Sequence, residues 1–272
     1  MKNELAIMVA QTCSGNTHEG NIDTLESLAR DASEAGCDML CLPEVSGLVS
    51  QDSDMLQRVL TTDENDPYVQ ACQRLAEQYG LWIHNGSTPV MSTHPLPVNR
   101  THLVNANGDI AATYDKIHLF DVHLADGRER LESKKYAPGN RLVLADTPWG
   151  PMGLTICYDL RFPQLYRDLA ARGARLLFVP SAFNRSTGAA HWQPLLQARA
   201  IENGCFVLAA AQTGEHEDGR KTYGHSMVVH PWGNVLLDLG SEIKTAVLTI
   251  DLSASDAARQ QIPSLKNARS YH

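Results

Sequence analysis

The stretch LTICYDLRFPQ, residues 154 to 164, runs apolar as far as Ile156 and then turns polar, so that Cys157 stands where a strand meets a loop. A thiol in such a place is either a small core side chain or a nucleophile, and the second role needs a base to take its proton and a cation to steady the anion. Two other strand ends carry such groups. Glu44 follows the apolar run in MLCLPEV, as a solvated loop acid or an inward-facing base. Lys116 sits in AATYDKIHLFD, as a surface lysine or a buried ammonium. Together the three suit acyl transfer from an amide. Glu44 would take the thiol proton, and the Lys116 ammonium and the backbone N–H of Tyr158 would bind the oxyanion. Glu44 would then activate the water that cleaves the thioester.

Nearby residues suit substrate binding. Arg161, four residues beyond Cys157, offers a planar guanidinium to a substrate carboxylate, or else pairs with Asp159. Phe183 and Thr187, in SAFNRSTG, follow another apolar run and are expected to line the pocket. His191 and Trp192 open the helical pattern AHWQPLLQARAIEN and read as structural residues packed against a sheet.

The elements that must position these groups alternate along the chain. LAIMVAQ reads as a strand, NIDTLESLARDASEAG as an amphipathic helix stopped at Gly36, and DMLCLPE as a second strand, which makes a βαβ unit. Strand MGLTICY, helix FPQLYRDLAARG and strand ARLLFVPSAF repeat the pattern. AGCDMLCLPE and RGARLLFVPS align at Pro43 and Pro180, a weak internal pseudo-symmetry. Further strands are expected in WIHNGSTPV, CFVLAAAQT, GHSMVVHPWG and VLTIDL, and RTHLVNANG reads as a hairpin turning at Asn107-Gly108. This many strands with three or four helices predict a layered α/β fold, in one domain over residues 1–272. Site residues then belong at strand ends.

Composition narrows the partners. The 272 residues are 43% hydrophobic, enough for a full core, and carry a net charge of −8 with no stripe of Lys and Arg, which argues against nucleic acid. The N-terminal MKNELAIMVAQTCSG lacks a basic start and an h-region, and no run approaches the roughly 18 apolar residues of a membrane span, so a cytoplasmic protein is expected. The 6 cysteines are scattered and expected to be reduced. Cys37 and Cys41, in AGCDMLCLPE, read as small buried hydrophobes rather than ligands, the histidines form no H-x-x-x-H pair, and no metal is expected.

The order of Glu44 in CLPE, Lys116 in YDKIHLFD and Cys157 in GLTICYDLRFPQL resembles the Glu-Lys-Cys triad of the nitrilase superfamily, the carbon–nitrogen hydrolases. The resemblance spans nearly the whole chain and continues in PSAFNRSTGAAHWQPLLQARAIENGCFVLAAAQTG and YGHSMVVHPWG, which are similar to its Nit branch. It implies a four-layer αββα sandwich, a homodimer or higher homo-oligomer paired across a helical face, no metal or organic cofactor, and an auxiliary role for Glu132 in orienting the lysine or the substrate amide. The implied activity is hydrolysis of a small-molecule amide of a 2-oxo acid, such as deaminated glutathione, in metabolite repair. α-Ketoglutaramate, an N-carbamoyl amino acid or a nitrile are alternative substrates, and a non-catalytic thiol that senses oxidation is the alternative of another class. Gln164 and His230 replace the family's usual Glu and Asp, and the tail to Arg269 only partly matches its usual basic ending.

Overall fold

Alternation along the strand Glu4–Gln11 sends Leu5, Ile7 and Val9 to one side and Met8 and Ala10 to the other, and both sides are buried. The neighbouring strand Met39–Cys41 does the same, with Met39 and Cys41 on the first side and Leu40 on the second. A strand apolar on both faces must be covered twice. In the computed structural model, which describes residues 2–123 and 129–270, the helices His18–Glu34 and Pro67–Tyr79 cover the outer face through Leu25, Leu28 and Leu75. The inner face meets a second sheet, where Leu154, Leu176 and Phe178 join the same core as Ile7 and Met39. The helices Pro163–Ala171 and Arg185–Asn203 close the far side with Leu169 and Leu196. The result is a four-layer αββα sandwich.

The expected internal repeat is visible in the pairing. In the first sheet Met39–Cys41 runs parallel to Glu4–Gln11 and to Trp82–His84. In the second, Leu176–Phe178 runs parallel to Met152–Leu154 and to Phe206–Ala209. Each parallel trio is flanked by antiparallel strands, Lys244–Asp251 and Val98–Val104 in one sheet, Val143–Ala145 and Met227–Val229 in the other. Across the interface the His84 ring stacks on Phe178, with centroids 4.2 Å apart. Cys41 lies in this inter-sheet core, and all six cysteines are free.

Two local readings change. The helix Pro67–Tyr79 was not expected, although its signals are in the sequence. Asp66 caps it by accepting the N–H groups of Tyr68 and Val69, Pro67 opens it, and Gly80 ends it at φ 62°. The strand expected through Cys157 stops at Leu154. The N–H of Ile156 turns to the Asp159 carboxylate at 2.8 Å, which pulls the chain into the 3₁₀ turn Cys157–Arg161. Gln164 is exposed and His230 sits in the turn after Met227–Val229. No helix among the described residues is long and apolar enough to cross a membrane.

Candidate active site

Glu44 and Lys116 leave the first sheet just past the strands Met39–Cys41 and Ile110–Asp115, and Cys157 leaves the second just past Met152–Leu154. Strand exits from both sheets thus meet in one place, where an α/β fold has room for a ligand. The Lys116 ammonium donates to Glu44 Oε1 at 2.8 Å and to both oxygens of Glu132, at 3.0 and 2.9 Å. Glu132 opens the short turn Glu132–Lys134 and also accepts the N–H of Phe120. Exposure is 2% for Lys116, 4% for Glu44 and 8% for Cys157, so these charges act through little water.

Two backbone positions here are strained. Cys157 has φ 47° and the β-branched Val45, next to Glu44, has φ 54°. L-residues avoid this left-handed region, so the surroundings must hold it. For Cys157 they do. Its N–H donates to the Pro180 carbonyl at 3.0 Å. The buried Asp159 carboxylate accepts from the Tyr114 hydroxyl at 2.7 Å and from the His118 N–H at 3.0 Å, which ties the cysteine turn to the segment carrying Lys116. Beside Val45, Gly86 packs so closely that a Cβ there would lie 1.8 Å from the Pro43 carbonyl oxygen.

Electrostatics sort the protons. Burial pushes the Glu44 carboxyl up, but the Lys116 ammonium and hydrogen bonds from Lys116, Cys157 and Ala182 together hold it below the usual carboxylate range. Burial also disfavours the Lys116 ammonium, and the two glutamates overcome that and raise it well above an ordinary lysine. Burial, then the Glu44 charge, drive the Cys157 thiol well above its usual value against the pull of Lys116. The resting site is therefore a neutral thiol beside a carboxylate and an ammonium. Such a set can take the thiol proton as sulfur attacks a carbonyl, with an ammonium ready for the oxyanion.

The residues open onto a cleft of about 690 Å³. Of the expected lining, Tyr158, Phe183, Thr187 and Glu132 are there. The Tyr158 ring sits edge-on to Phe120 and Phe162, and Phe183 leans on the buried Trp192 at 5.0 Å. Arg161 is not among the residues that line the cleft, but it lies against two that do. Its guanidinium lies over the rings of Phe183 and Tyr158 and meets His191 Nδ1 at 3.3 Å. Nor does it pair with Asp159, whose oxygens are taken by Tyr114, Ile156 and His118. Two groups that bond to Glu44 were not foreseen. Asn99 donates to Glu44 Oε1 at 3.0 Å, and the N–H of Ala182 donates to Glu44 Oε2 at 2.7 Å. The aligned prolines hinted at the second, because Ala182 occupies in one repeat the place of Val45 in the other. Nothing in the alternation of the strand Val98–Val104 marks Asn99.

The Carbon-nitrogen hydrolase family profile matches residues 7–260. A Yersinia enterocolitica protein named deaminated glutathione amidase is 38% identical over 97% of this chain and 92% of its own length. A Dictyostelium discoideum protein of the same name is 40% identical over 94% of this chain and 91% of its own length. The crystal structure of Saccharomyces cerevisiae Nit3, described as a member of branch 10 of the nitrilase superfamily, superposes with a TM-score of 0.88 at 25% identity, over 98% of this chain and 97% of that one. The chain belongs to the carbon-nitrogen hydrolase family.

Proposed function

We propose that this hydrolase is a cysteine-dependent amidase that cleaves the amide of a 2-oxo acid, with deaminated glutathione as the leading substrate, in metabolite repair. The observation that carries the reading is the buried set of Cys157, Glu44 and Lys116 lining one cleft. The substrate class follows the relatives' name. Cys157 Sγ attacks the amide carbon while Glu44 takes the thiol proton, and the Lys116 ammonium with the Tyr158 N–H holds the oxyanion. Glu44 returns the proton to the leaving nitrogen, the amine departs, and a thioester remains. Water, deprotonated by Glu44, then releases the acid and restores the thiol. Asn99 and Ala182 keep Glu44 aimed and charged, and Glu132 fixes Lys116. A homo-oligomer is the assembly that the family resemblance suggests, and a cytoplasmic setting is the one the sequence leads us to expect.

The oxidation-sensor reading fares worse. A redox-sensing thiol reacts as its thiolate, whereas burial and the Glu44 charge keep Cys157 protonated. The experiment that tests the proposal is a panel of 2-oxo acid amides, α-ketoglutaramate, N-carbamoyl amino acids and nitriles, scored by the acid and amine or ammonia released. A 2-oxo acid amide is expected to give the highest kcat/KM. A preference for carbamoyl compounds or nitriles would reject the substrate class, and no turnover of any compound would reject the enzyme.

The pH dependence has a definite sign. Glu44 acts as a base only when ionised, and its carboxyl is held below the usual range. The kcat/KM profile should therefore stay flat down through the ordinary carboxylate range and fall only below it. Asn99→Leu removes a donor to the charged form, so its acid limb should move to higher pH. An unmoved limb in a folded variant would show that Asn99 does not tune this base.

A further inference from the structure

One wall of the cleft carries more positive charge than the chemistry uses. Arg130, Lys135 and Arg220 all line it, in a chain whose net charge is −8. A neutral residue holds two of them, since Arg130 Nη1 donates to the Gln51 side-chain oxygen at 2.7 Å and Lys135 Nζ donates to the Gln51 carbonyl. Arg220 reaches the Asp218 carboxylate through Nη2 at 3.2 Å. Its Nε is buried and has no hydrogen-bond partner among the described residues. Lys135 shows that the cations feel one another. Burial, then the Arg220 charge, lower its ammonium below the usual lysine range although Asp218 pulls the other way.

These observations fit an anion better than a neutral ligand. A guanidinium fork beside an ammonium matches a carboxylate. We propose that Arg220, supported by Lys135 and Arg130, forms a carboxylate subsite that selects amides carrying a free acid remote from the scissile bond. The inference rests on the amidase reading above and names the feature of the substrate that this wall recognises.

The probes are 2-oxoglutaryl-alanyl-glycine joined through its 5-amide, its glycine methyl ester, and the butanoyl analogue that lacks the 2-oxo acid. Each is measured as kcat/KM with wild type and Arg220→Ala, and as affinity for Cys157→Ala with and without the Arg220 substitution. Arg220→Ala should cost about 10- to 100-fold on the diacid, mostly in KM, and under about threefold on whichever analogue lacks the carboxylate that Arg220 reads. Equal losses on all three probes, or no loss, would overturn the subsite. Arg220-dependent binding of the diacid to Cys157→Ala without turnover by wild type would keep the subsite and remove the amidase reading. Turnover without any dependence on Arg220 would do the reverse. Should Arg220→Ala fail to fold, Arg220→Lys and the salt dependence of binding decide. Equal affinity for the three probes at low and high salt overturns the proposal.

Discussion

Replacing Cys157 with alanine is expected to abolish amide hydrolysis while the protein stays folded. In the proposed reaction the thiol is the nucleophile, and its loss leaves a base and an oxyanion donor with nothing to attack the carbonyl, so a fall on the order of 10⁴-fold or more is expected. Cys157→Ser should keep at most a trace. Burial and the Glu44 charge already oppose forming the thiolate, and an alkoxide is harder still to form in the same place. Alanine at Cys13 or Cys37, both partly exposed, should leave the rate near wild type. Steady-state rates with mass spectrometry for an acyl adduct provide the check. Loss of the rate in Cys41→Ala together with its survival in Cys157→Ala would move the nucleophile elsewhere.

The second large effect belongs to the charged partners. Glu44→Gln keeps the shape of the side chain and removes the base, and it should lower kcat by about 100-fold or more. Lys116→Ala should cost at least as much, for two reasons. An oxyanion donor disappears, and Glu44 and Glu132 are left facing each other in the interior without the cation that neutralises them. Breaking one side of a buried ion pair costs about 3 to 5 kcal/mol of stability, so the melting temperature should drop with the rate. The loss of Lys116 also lets the Glu44 carboxyl rise, which moves the acid limb upward. Lys116→Ala with an unaltered pH profile and a near-normal rate would mean that the ammonium neither tunes the base nor binds the oxyanion.

Much of the frame was legible because its signals are local. Short continuous apolar runs mark Glu4–Gln11 and Met39–Cys41 as strands, and the exits at Glu44 and Cys157 show as abrupt ends of such runs. The two prolines at 43 and 180 made the repeat readable, since each stands two residues past the end of its strand. The direction of a long side chain was not legible. Arg161 turns onto Phe183, a residue carried by a different strand exit, and no spacing around Cys157 reveals that ring. Asn99 was missed for the same reason, because its importance lies in a bond to Glu44 across 55 residues. The helix Pro67–Tyr79 is a different case. Cap, opening proline and terminal glycine are all present in its sequence.

The division of the site between two sheets has a consequence for how the chain acquires activity. Glu44 and Lys116 stand on one half of the sandwich, Cys157 and Ala182 on the other, and the bond from Ala182 to Glu44 spans 138 residues. Each half is rich in near-neighbour βαβ contacts and can gather most of its own sheet, whereas adding Lys244–Asp251 beside Glu4–Gln11 and joining the halves must each close a long loop before the contact repays it. A refolding species with both sheets formed but not yet apposed would have most of its helix and strand signal and a thiol with no base. Turnover therefore reads out the docking of the two halves, and its recovery should lag behind the far-ultraviolet circular dichroism of the refolding chain.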